Sequence, residues 1–139
     1  MTPSLAIQQE YEKYIYAIPS LHPQVEKSTL VFVRTGRYLA KITGEIFFKH
    51  DIRLKVLQML DFGRSEILRY SYTVFRNQEK LYWYDPQPHP HIPALASTHP
   101  HHKHIPPDIK HNRIPAPSLS FVQPNLPLLI QEVIDNLLI

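Results

Sequence analysis

Six of the nine histidines of this chain lie in one short segment, between Tyr84 and His104. His89 and His91 come first, and four more fall in the sequence His99-Pro100-His101-His102-Lys103-His104. Imidazole exchanges a proton near neutral pH and also binds transition metals, so the segment indicates either acid–base or metal chemistry. Prolines at positions 86, 88, 90, 93 and 100 exclude a helix here and favour extended backbone.

A metal site is the first interpretation of these histidines. In an extended chain, side chains two residues apart point to the same side, so His89 with His91 and His102 with His104 are natural chelating pairs. Asp85 is placed to add an oxygen ligand. The chain has no cysteine, so a site for zinc, nickel or manganese would need imidazole and carboxylate ligands.

The second interpretation is acid–base catalysis on a phosphodiester without a metal. It needs one imidazole to accept a proton, another to donate one, and a cation near the phosphate. We assign the base and acid to His102 and His104. The supporting roles go to His101 as their partner, Lys103 and Arg69 as phosphate contacts, and Asp85 as the group that orients an imidazole.

A third interpretation is purely structural. The histidine rings can stack on Tyr82, Trp83 or Tyr84 while their nitrogens bond to neighbouring carbonyl groups. The sequence alone leaves these three interpretations open.

Residues 25–85 are expected to form the scaffold that positions this segment. Apolar residues alternate with polar ones, and turn sequences recur at short intervals, which predicts a five-stranded antiparallel meander with one apolar face. The predicted strands are Ser28–Arg34, Tyr38–Lys49, Ile52–Leu60, Ile67–Arg76 and Leu81–Tyr84. On the apolar face we expect, among others, Tyr38, Ala40, Ile42, Leu68, Tyr70 and Tyr72.

Helices are predicted at both ends of the chain. Thr2 and Pro3 resemble an N-cap and first helical residue, and the helix is expected to end near Ala17. Asn125 is expected to cap a second helix with a broad apolar stripe that runs to the end of the chain. The predicted fold is therefore α+β and one domain: residues 1–24 helix and linker, 25–85 sheet, 86–124 His/Pro-rich arm, and 125–139 C-terminal helix.

The polar face of the predicted sheet carries a group of cations. They are Lys41, Arg53, Lys55 and Arg69. These residues could bind phosphates, although antiparallel sheets normally present a charged face to water. The net charge of +3 permits a nucleic-acid partner without requiring one.

The distribution of apolar residues along the chain limits where the protein is expected to act. No apolar run approaches the length of a membrane-spanning helix, and no secretory leader is evident, so we expect a cytoplasmic protein that does not interact with membranes.

Homodimers could form through a sheet edge or the C-terminal helix.

Five short motifs resemble the TumE family of small bacterial toxins. They are Gly44-Glu45-Ile46-Phe47-Phe48, Ile52-Arg53-Leu54-Lys55-Val56, Tyr70-Ser71-Tyr72, Tyr84-Asp85 followed by Pro88-His89, and His99-Pro100-His101-His102-Lys103-His104. The last motif is the most specific, because it joins a rare composition to a position after the last predicted strand. The chain differs from the family pattern at Gln58, where an acidic residue is common, and in a long proline-rich linker after His104.

The resemblance implies a toxin that is encoded beside a helix-turn-helix antitoxin. The matched motif positions are Asp85, His89, His101, His102, Lys103 and His104. With the residue chemistry, it favours a toxin that acts on RNA as a ribonuclease-type enzyme. The alternatives are a binding module for protein or nucleic acid without catalysis, and a His-rich metal-binding protein.

Overall fold

The computed structural model describes residues 3–138. Helix α1 spans Gln8–Leu21 and helix α2 spans Leu126–Leu137. The strands are β1 Val25–Ser28, β2 Val31–Thr35, β3 Leu39–Phe48, β4 Ile52–Asp61, β5 Glu66–Arg76, β6 Glu79–Asp85, β7 His102–His104 and β8 Arg113–Pro115. A short 3-10 helix covers Pro93–Thr98, so the expectation that the prolines exclude a helix from the histidine segment is wrong there: Pro93 is at the start of the helix, where no amide donor is needed.

The α+β class, the antiparallel sheet and the two terminal helices are confirmed, but the strand count of five is wrong. The part of the chain described here forms eight strands in one sheet, in the order β1-β3-β4-β5-β6-β7-β8, with β2 also paired to β3. Two of the extra strands, β7 and β8, come from the His/Pro-rich arm. Proline lacks an amide donor, but it is tolerated in edge strands: β8, which contains Pro115, is at the edge of the sheet, and β7, which pairs with both β6 and β8, contains no proline.

The third extra strand arises because the first predicted strand is broken. β1 and β2 pair with successive stretches of β3, and between them the Thr29 hydroxyl accepts a hydrogen bond from the Glu45 amide at 2.9 Å. At this crossing the Thr29 carbonyl passes so close to Gly44 that a Cβ there would lie 2.5 Å from it. Gly44 also has φ of 138°, so only glycine fits the break comfortably.

Both helices lie against one face of the sheet, which we call the covered face. The core includes Tyr11, Ile15 and Ile18 of α1 and Leu129 and Ile130 of α2. The sheet contributes Ala40, Ile42, Ile46, Leu54, Val56, Ile67, Tyr70, Tyr72 and Val74 to the same core. The apolar stripe of each helix is thereby removed from water, which is the main stabilising contribution to such a two-layer domain.

Two residues expected on the covered face are exposed instead. Leu68 is 44% exposed, because the pairing of β4 and β5 shifts between Met59 and Leu60 and puts Ile67 inward in its place. Tyr38 is 51% exposed, since it lies in the turn before β3 begins. A one-residue shift reverses the facing of a strand, and sequence alternation alone does not reveal where it occurs.

The helix boundaries also differ from those predicted. Thr2 lies outside the described residues, and α1 begins at Gln8 and continues past Pro19 to Leu21. Pro19 is in the last turn, where its missing amide costs one hydrogen bond, while Ile15 and Ile18 hold that end against the core. Within residues 3–138, neither helix is both long and apolar enough to span a membrane.

A buried polar network joins α1, the sheet and the C-terminal arm. Gln58 is fully buried, donates to the Tyr11 hydroxyl at 2.7 Å and accepts from the Tyr72 hydroxyl at 2.6 Å. Asn125 lies at the N-cap position of α2, but its side chain bonds Tyr72 and Ser120 instead. Both side-chain amides therefore have partners on their oxygen and nitrogen atoms.

The other face of the sheet, which we call the open face, is left to solvent over β3, β4 and β5. Each side chain that β4 and the second half of β5 direct there is at least partly exposed. The register places Lys55 opposite Thr73, Thr73 opposite Trp83, and Trp83 opposite His104. The open face thus runs without interruption from the predicted cationic strands to the histidine segment.

Candidate functional site

Strand β7 brings His102 and His104 to the open face of the sheet. It pairs with β6 so that His104 lies opposite Trp83 and His102 lies opposite Asp85. Because side chains alternate along a strand, both imidazoles project to the same side as Asp85. His102 and His104 thus point the same way, as alternation predicts for residues two apart in an extended chain, and Asp85 lies beside both.

The three side chains form a tight cluster, which we call the His-Asp cluster. One Asp85 oxygen lies 3.0 Å from His102 Nε2, and the other lies 3.2 Å from His104 Nε2. The two Nε2 atoms are 3.1 Å apart. His102 and His104 are buried, whereas the Asp85 side chain keeps 23% of its surface exposed, so the cluster opens to solvent at the carboxylate.

The other ring nitrogens of the two histidines are held by backbone carbonyl groups. His102 Nδ1 lies 3.1 Å from the Pro100 oxygen, and His104 Nδ1 lies 2.9 Å from the Ile109 oxygen. A carbonyl oxygen only accepts hydrogen bonds, so each Nδ1 must carry a proton. In the neutral rings, the lone pairs of both Nε2 atoms then face each other and Asp85.

Local hydrogen bonds keep Asp85 negatively charged. Burial alone would raise its pKa, but the close contact with His102 and the hydrogen bonds donated by the Gln87 amide and the Trp83 indole outweigh this and hold the pKa well below its usual range. Burial lowers the pKa of His104, and its contacts with Ile109 and Asp85 offset that only in part. The cluster therefore combines an anionic carboxylate with an imidazole that favours its neutral form.

Three further residues surround the cluster. The Trp83 ring stacks on His104 with centroids 3.9 Å apart, and the His89 ring lies 5.1 Å from that of His102. Arg113 is paired with His104 across β7 and β8; burial lowers the pKa of both His89 and His104, and the charge of Arg113 lowers it further. Among the described residues, the Arg113 Nε is a buried donor without a hydrogen-bond partner.

Two predicted site residues lie on the covered face, away from the cluster. Lys103 contacts Glu132 of α2 at 3.4 Å and lies 4.2 Å from the centre of the Tyr82 ring. His101 Nδ1 lies 2.6 Å from the Tyr70 hydroxyl, and its ring packs against Phe121. The alternation that unites His102 and His104 sends their sequence neighbours to the opposite side.

The predicted phosphate contacts other than Lys103 lie on the open face, but their side chains differ in how far they are engaged by neighbours. Arg53 is engaged by Glu45 at 2.7 Å and stacks on Phe75. Arg69 places its Nε 3.1 Å from the Met59 sulfur. Lys41 and Lys55 have exposed side chains.

A shallow groove of about 380 Å³ crosses the open face beside the cluster. It is lined by Lys55, Leu57, Ser71, Thr73, Phe75 and Lys80. The Lys80 ammonium lies 5.1 Å from the centre of the Trp83 ring, which in turn stacks on His104. The groove and the His-Asp cluster are thereby connected through one aromatic side chain.

The remaining histidines of the segment stand apart from this centre. His91 is exposed, and its ring lies 6.3 Å from that of His89, while His99 is also exposed. Among the described residues, the group with ligand atoms close enough to share one metal ion is Asp85, His102 and His104. The predicted pair of His89 and His91 is not part of that group.

Sequence reasoning missed Arg113 and Lys80. Arg113 lies nine residues after His104 in a proline-rich stretch, and only the pairing of β7 with β8 brings it to the cluster. Lys80 follows a turn and precedes the predicted last strand, which begins earlier than expected, at Glu79. A prediction that started the last strand at Glu79 would have included Lys80, and one that returned the chain as an antiparallel strand after His104 would have placed Arg113.

The arrangement can perform two kinds of chemistry. A carboxylate, two imidazoles and a nearby guanidinium can move protons and neutralise a phosphate. The same carboxylate and imidazoles have the separations of ligands that share a metal ion. Rings stacked on Trp83 and bonded to carbonyls also agree with the structural interpretation of the segment.

Comparison with known proteins gives one family. A search of curated proteins and of solved structures finds no significant match to the chain. The family model described as Toxin TumE, however, matches residues 12–137, which is nearly the whole sequence and includes both the open face and the His-Asp cluster. This chain therefore belongs to the TumE toxin family.

Proposed function

We propose that this protein arrests growth by cleaving RNA at the His-Asp cluster. One observation carries the proposal: His102, His104 and Asp85 converge on the same face of the sheet as an exposed basic groove. Phosphodiester cleavage needs a group that takes a proton from the attacking oxygen and one that supplies a proton to the leaving oxygen. Two imidazoles beside an anionic carboxylate provide such groups.

The open face supports a single-stranded substrate. Lys55 and Lys80 line the groove and can meet backbone phosphates, while Trp83 and Phe75 offer rings for stacking. Strands lie about 4.8 Å apart, so Lys55 on β4 is roughly 14 Å from His104 on β7, a span that several nucleotides can cover. Single-strand binders combine a basic groove with aromatic stacking in this way.

Arg113 supports the placement of the scissile phosphate. It lies beside His104, and its buried Nε donor has no partner among the described residues. A guanidinium next to the reacting phosphate would stabilise the negative charge that develops there. We assign this role to Arg113 rather than to Lys103, which faces α2.

Family membership implies an antitoxin partner. We propose, from the resemblance stated above, that this antitoxin is a helix-turn-helix protein and that the toxin acts on its RNA target in the cytoplasm.

Induced expression in a bacterial host, followed by growth curves and sequencing of RNA ends, tests the proposal. Wild-type protein should arrest growth and produce new RNA ends, and His104→Gln should abolish both. Lys13→Ala is the matched control for the basic groove, because Lys13 is an exposed lysine on α1. Lys55→Ala with Lys80→Ala should weaken RNA binding and flatten its salt dependence, whereas Lys13→Ala should change neither.

Growth arrest with intact RNA would overturn the RNA target. If arrest also survived His104→Gln, the cluster would not be the active centre, and a binding module without catalysis would be the better description.

A further inference from the structure

The hydrogen bonds of the His-Asp cluster leave three acceptors facing one another. Each Nδ1 proton is already donated to a carbonyl, of Pro100 for His102 and of Ile109 for His104. The neutral rings therefore direct unprotonated Nε2 atoms at each other, 3.1 Å apart, and at the Asp85 carboxylate. Buried acceptors in contact without a proton between them are unfavourable, so the cluster needs a cation or added protons.

The outer contacts are those of metal-binding histidines. A histidine that binds a metal through one nitrogen nearly always donates its other N–H to a carbonyl or carboxylate, which fixes the ring and its tautomer. His102 and His104 both do so, each with a different backbone carbonyl. Asp85 is held in the same manner by the Trp83 indole at 3.0 Å and the Gln87 amide at 3.0 Å.

The distances fit one ion. Ligands bound at 2.0–2.2 Å in tetrahedral geometry lie about 3.3–3.6 Å from each other. The two Nε2 atoms lie 3.1 Å apart, and each lies 3.0 or 3.2 Å from a different oxygen of Asp85, so the three side chains are slightly closer together than bound ligands would be. Small shifts of the side chains would therefore complete the coordination without a change in the backbone.

We propose that Asp85, His102 and His104 bind one divalent transition-metal ion, with zinc the ion that the ligand set fits best. Two imidazoles and a carboxylate are a common ligand set of catalytic zinc, and they leave a position for water or substrate. That position would lie on the solvent side, where Asp85 is exposed.

This proposal rests on the proposed function for its substrate, RNA, and assigns the two imidazoles at that centre the role of metal ligands in place of acid and base, although metal binding itself does not depend on RNA being the substrate. A bound zinc would lower the pKa of a coordinated water toward neutrality. The resulting hydroxide would form a new P–O bond as the bond to the leaving oxygen breaks, and the leaving oxygen would take up a proton from solvent. Arg113 would neutralise the phosphate during that step.

The test is zinc binding to the purified full-length chain after chelator treatment, by competition with a chromophoric chelator and by metal analysis. We expect one zinc per chain with Kd below about 1 µM. Asp85→Asn and His104→Gln should each weaken binding at least about 100-fold, since both remove a direct ligand. Cobalt(II) should give visible absorption bands with the wild type that Asp85→Asn removes.

The control addresses adventitious binding by the many other histidines. His91, His99 and His111 are exposed, and replacing all three by alanine should leave the stoichiometry and Kd unchanged. Circular dichroism checks that every variant is folded, and Asp85→Asn is the most conservative of them because it preserves the shape of the side chain.

Zinc binding that survived Asp85→Asn and His104→Gln but was lost in the triple control would overturn the proposal. So would the absence of tight binding to folded protein. If metal-free protein still cleaved RNA, zinc would have no part in cleavage and the proposed function would stand. If the protein bound stoichiometric zinc but left RNA uncut, the metal site would stand and the proposed function would be overturned.

Discussion

Two buried polar groups in this protein differ in how completely their hydrogen bonds are made. Around Gln58, the side-chain amide has a donor and an acceptor in the hydroxyls of Tyr72 and Tyr11. Around Asp85, two imidazole nitrogens and a carboxylate present acceptors to one another. The first group is complete by itself, whereas the second is complete only when protons or a cation are added.

This difference separates a structural network from a candidate reactive one. A polar network whose members are all satisfied rigidifies a core, and removing one member leaves its neighbours unpaired. A network with surplus acceptors makes the folded state less stable than a satisfied network would, and a ligand that binds the folded state restores that stability. Mutations should therefore have opposite signatures in the two places: loss of folding at Gln58, and loss of binding without loss of folding at Asp85.

The largest expected effect is at Gln58. Gln58→Ala would leave the hydroxyls of Tyr11 and Tyr72 short of a partner and open a cavity, so we expect the free energy of unfolding to fall by about 3 kcal/mol. Gln58→Leu would fill the cavity and recover part of this loss. Chemical denaturation measures both, and a change below about 1 kcal/mol for Gln58→Ala would contradict a structural role for the network.

Zinc should stabilise the wild-type protein by a similar amount. At a free concentration 100 times its Kd, a ligand that binds only the folded state adds about 2.7 kcal/mol to the free energy of unfolding. The same zinc concentration should leave Asp85→Asn unchanged. Thermal unfolding with and without zinc provides the measurement, and equal stabilisation of both proteins would place the bound ion elsewhere.

Much of the fold was predictable because the sheet and helices follow simple periodicity. The alternation in residues 39–61 and the apolar stripe of α2 each have a single reasonable burial pattern. The broken first strand and the shift that exposes Leu68 were not predictable, since both depend on contacts between strands, such as that of Thr29 with Gly44.

The candidate site was predictable in part for the same reason. Alternation places His102 and His104 on one side of any extended chain, and the structure places Asp85, the suggested ligand or orienting group, beside both. The same alternation turns Lys103 to the opposite face, because β7 is a strand of the sheet. In an isolated loop Lys103 would not be constrained in this way. Arg113 reaches the cluster only through the pairing of β7 with β8, which the sequence pattern does not indicate.

A smaller effect should distinguish the two polar groups in metal-free protein. Asp85→Asn replaces an acceptor by an amide whose N–H can donate to an imidazole nitrogen, while its oxygen still accepts from Trp83 or Gln87. We expect chelator-treated Asp85→Asn to be as stable as the wild type or more stable by up to about 1 kcal/mol. A loss of more than that in denaturant unfolding would mean that the carboxylate is already satisfied by protons.

As a control for this measurement, Asp108→Asn alters an exposed carboxylate that lies 3.1 Å from His111. Substitution of such a surface pair should change the free energy of unfolding by no more than about 0.5 kcal/mol.

The smallest change in stability is expected at the two cations that flank His104. Lys103 has an anionic partner in Glu132 and an aromatic one in Tyr82, so Lys103→Met should cost about 0.5 kcal/mol of unfolding free energy and leave growth arrest intact. Arg113 has a buried Nε without a partner among the described residues, so Arg113→Met should cost no more stability yet slow RNA cleavage at least about tenfold. Growth and unfolding measurements on both variants compare Lys103, whose ammonium group has two partners, with Arg113, whose Nε has none among the described residues. If Lys103→Met abolished toxicity while Arg113→Met did not, the reactive face of this sheet would be the one that α2 covers.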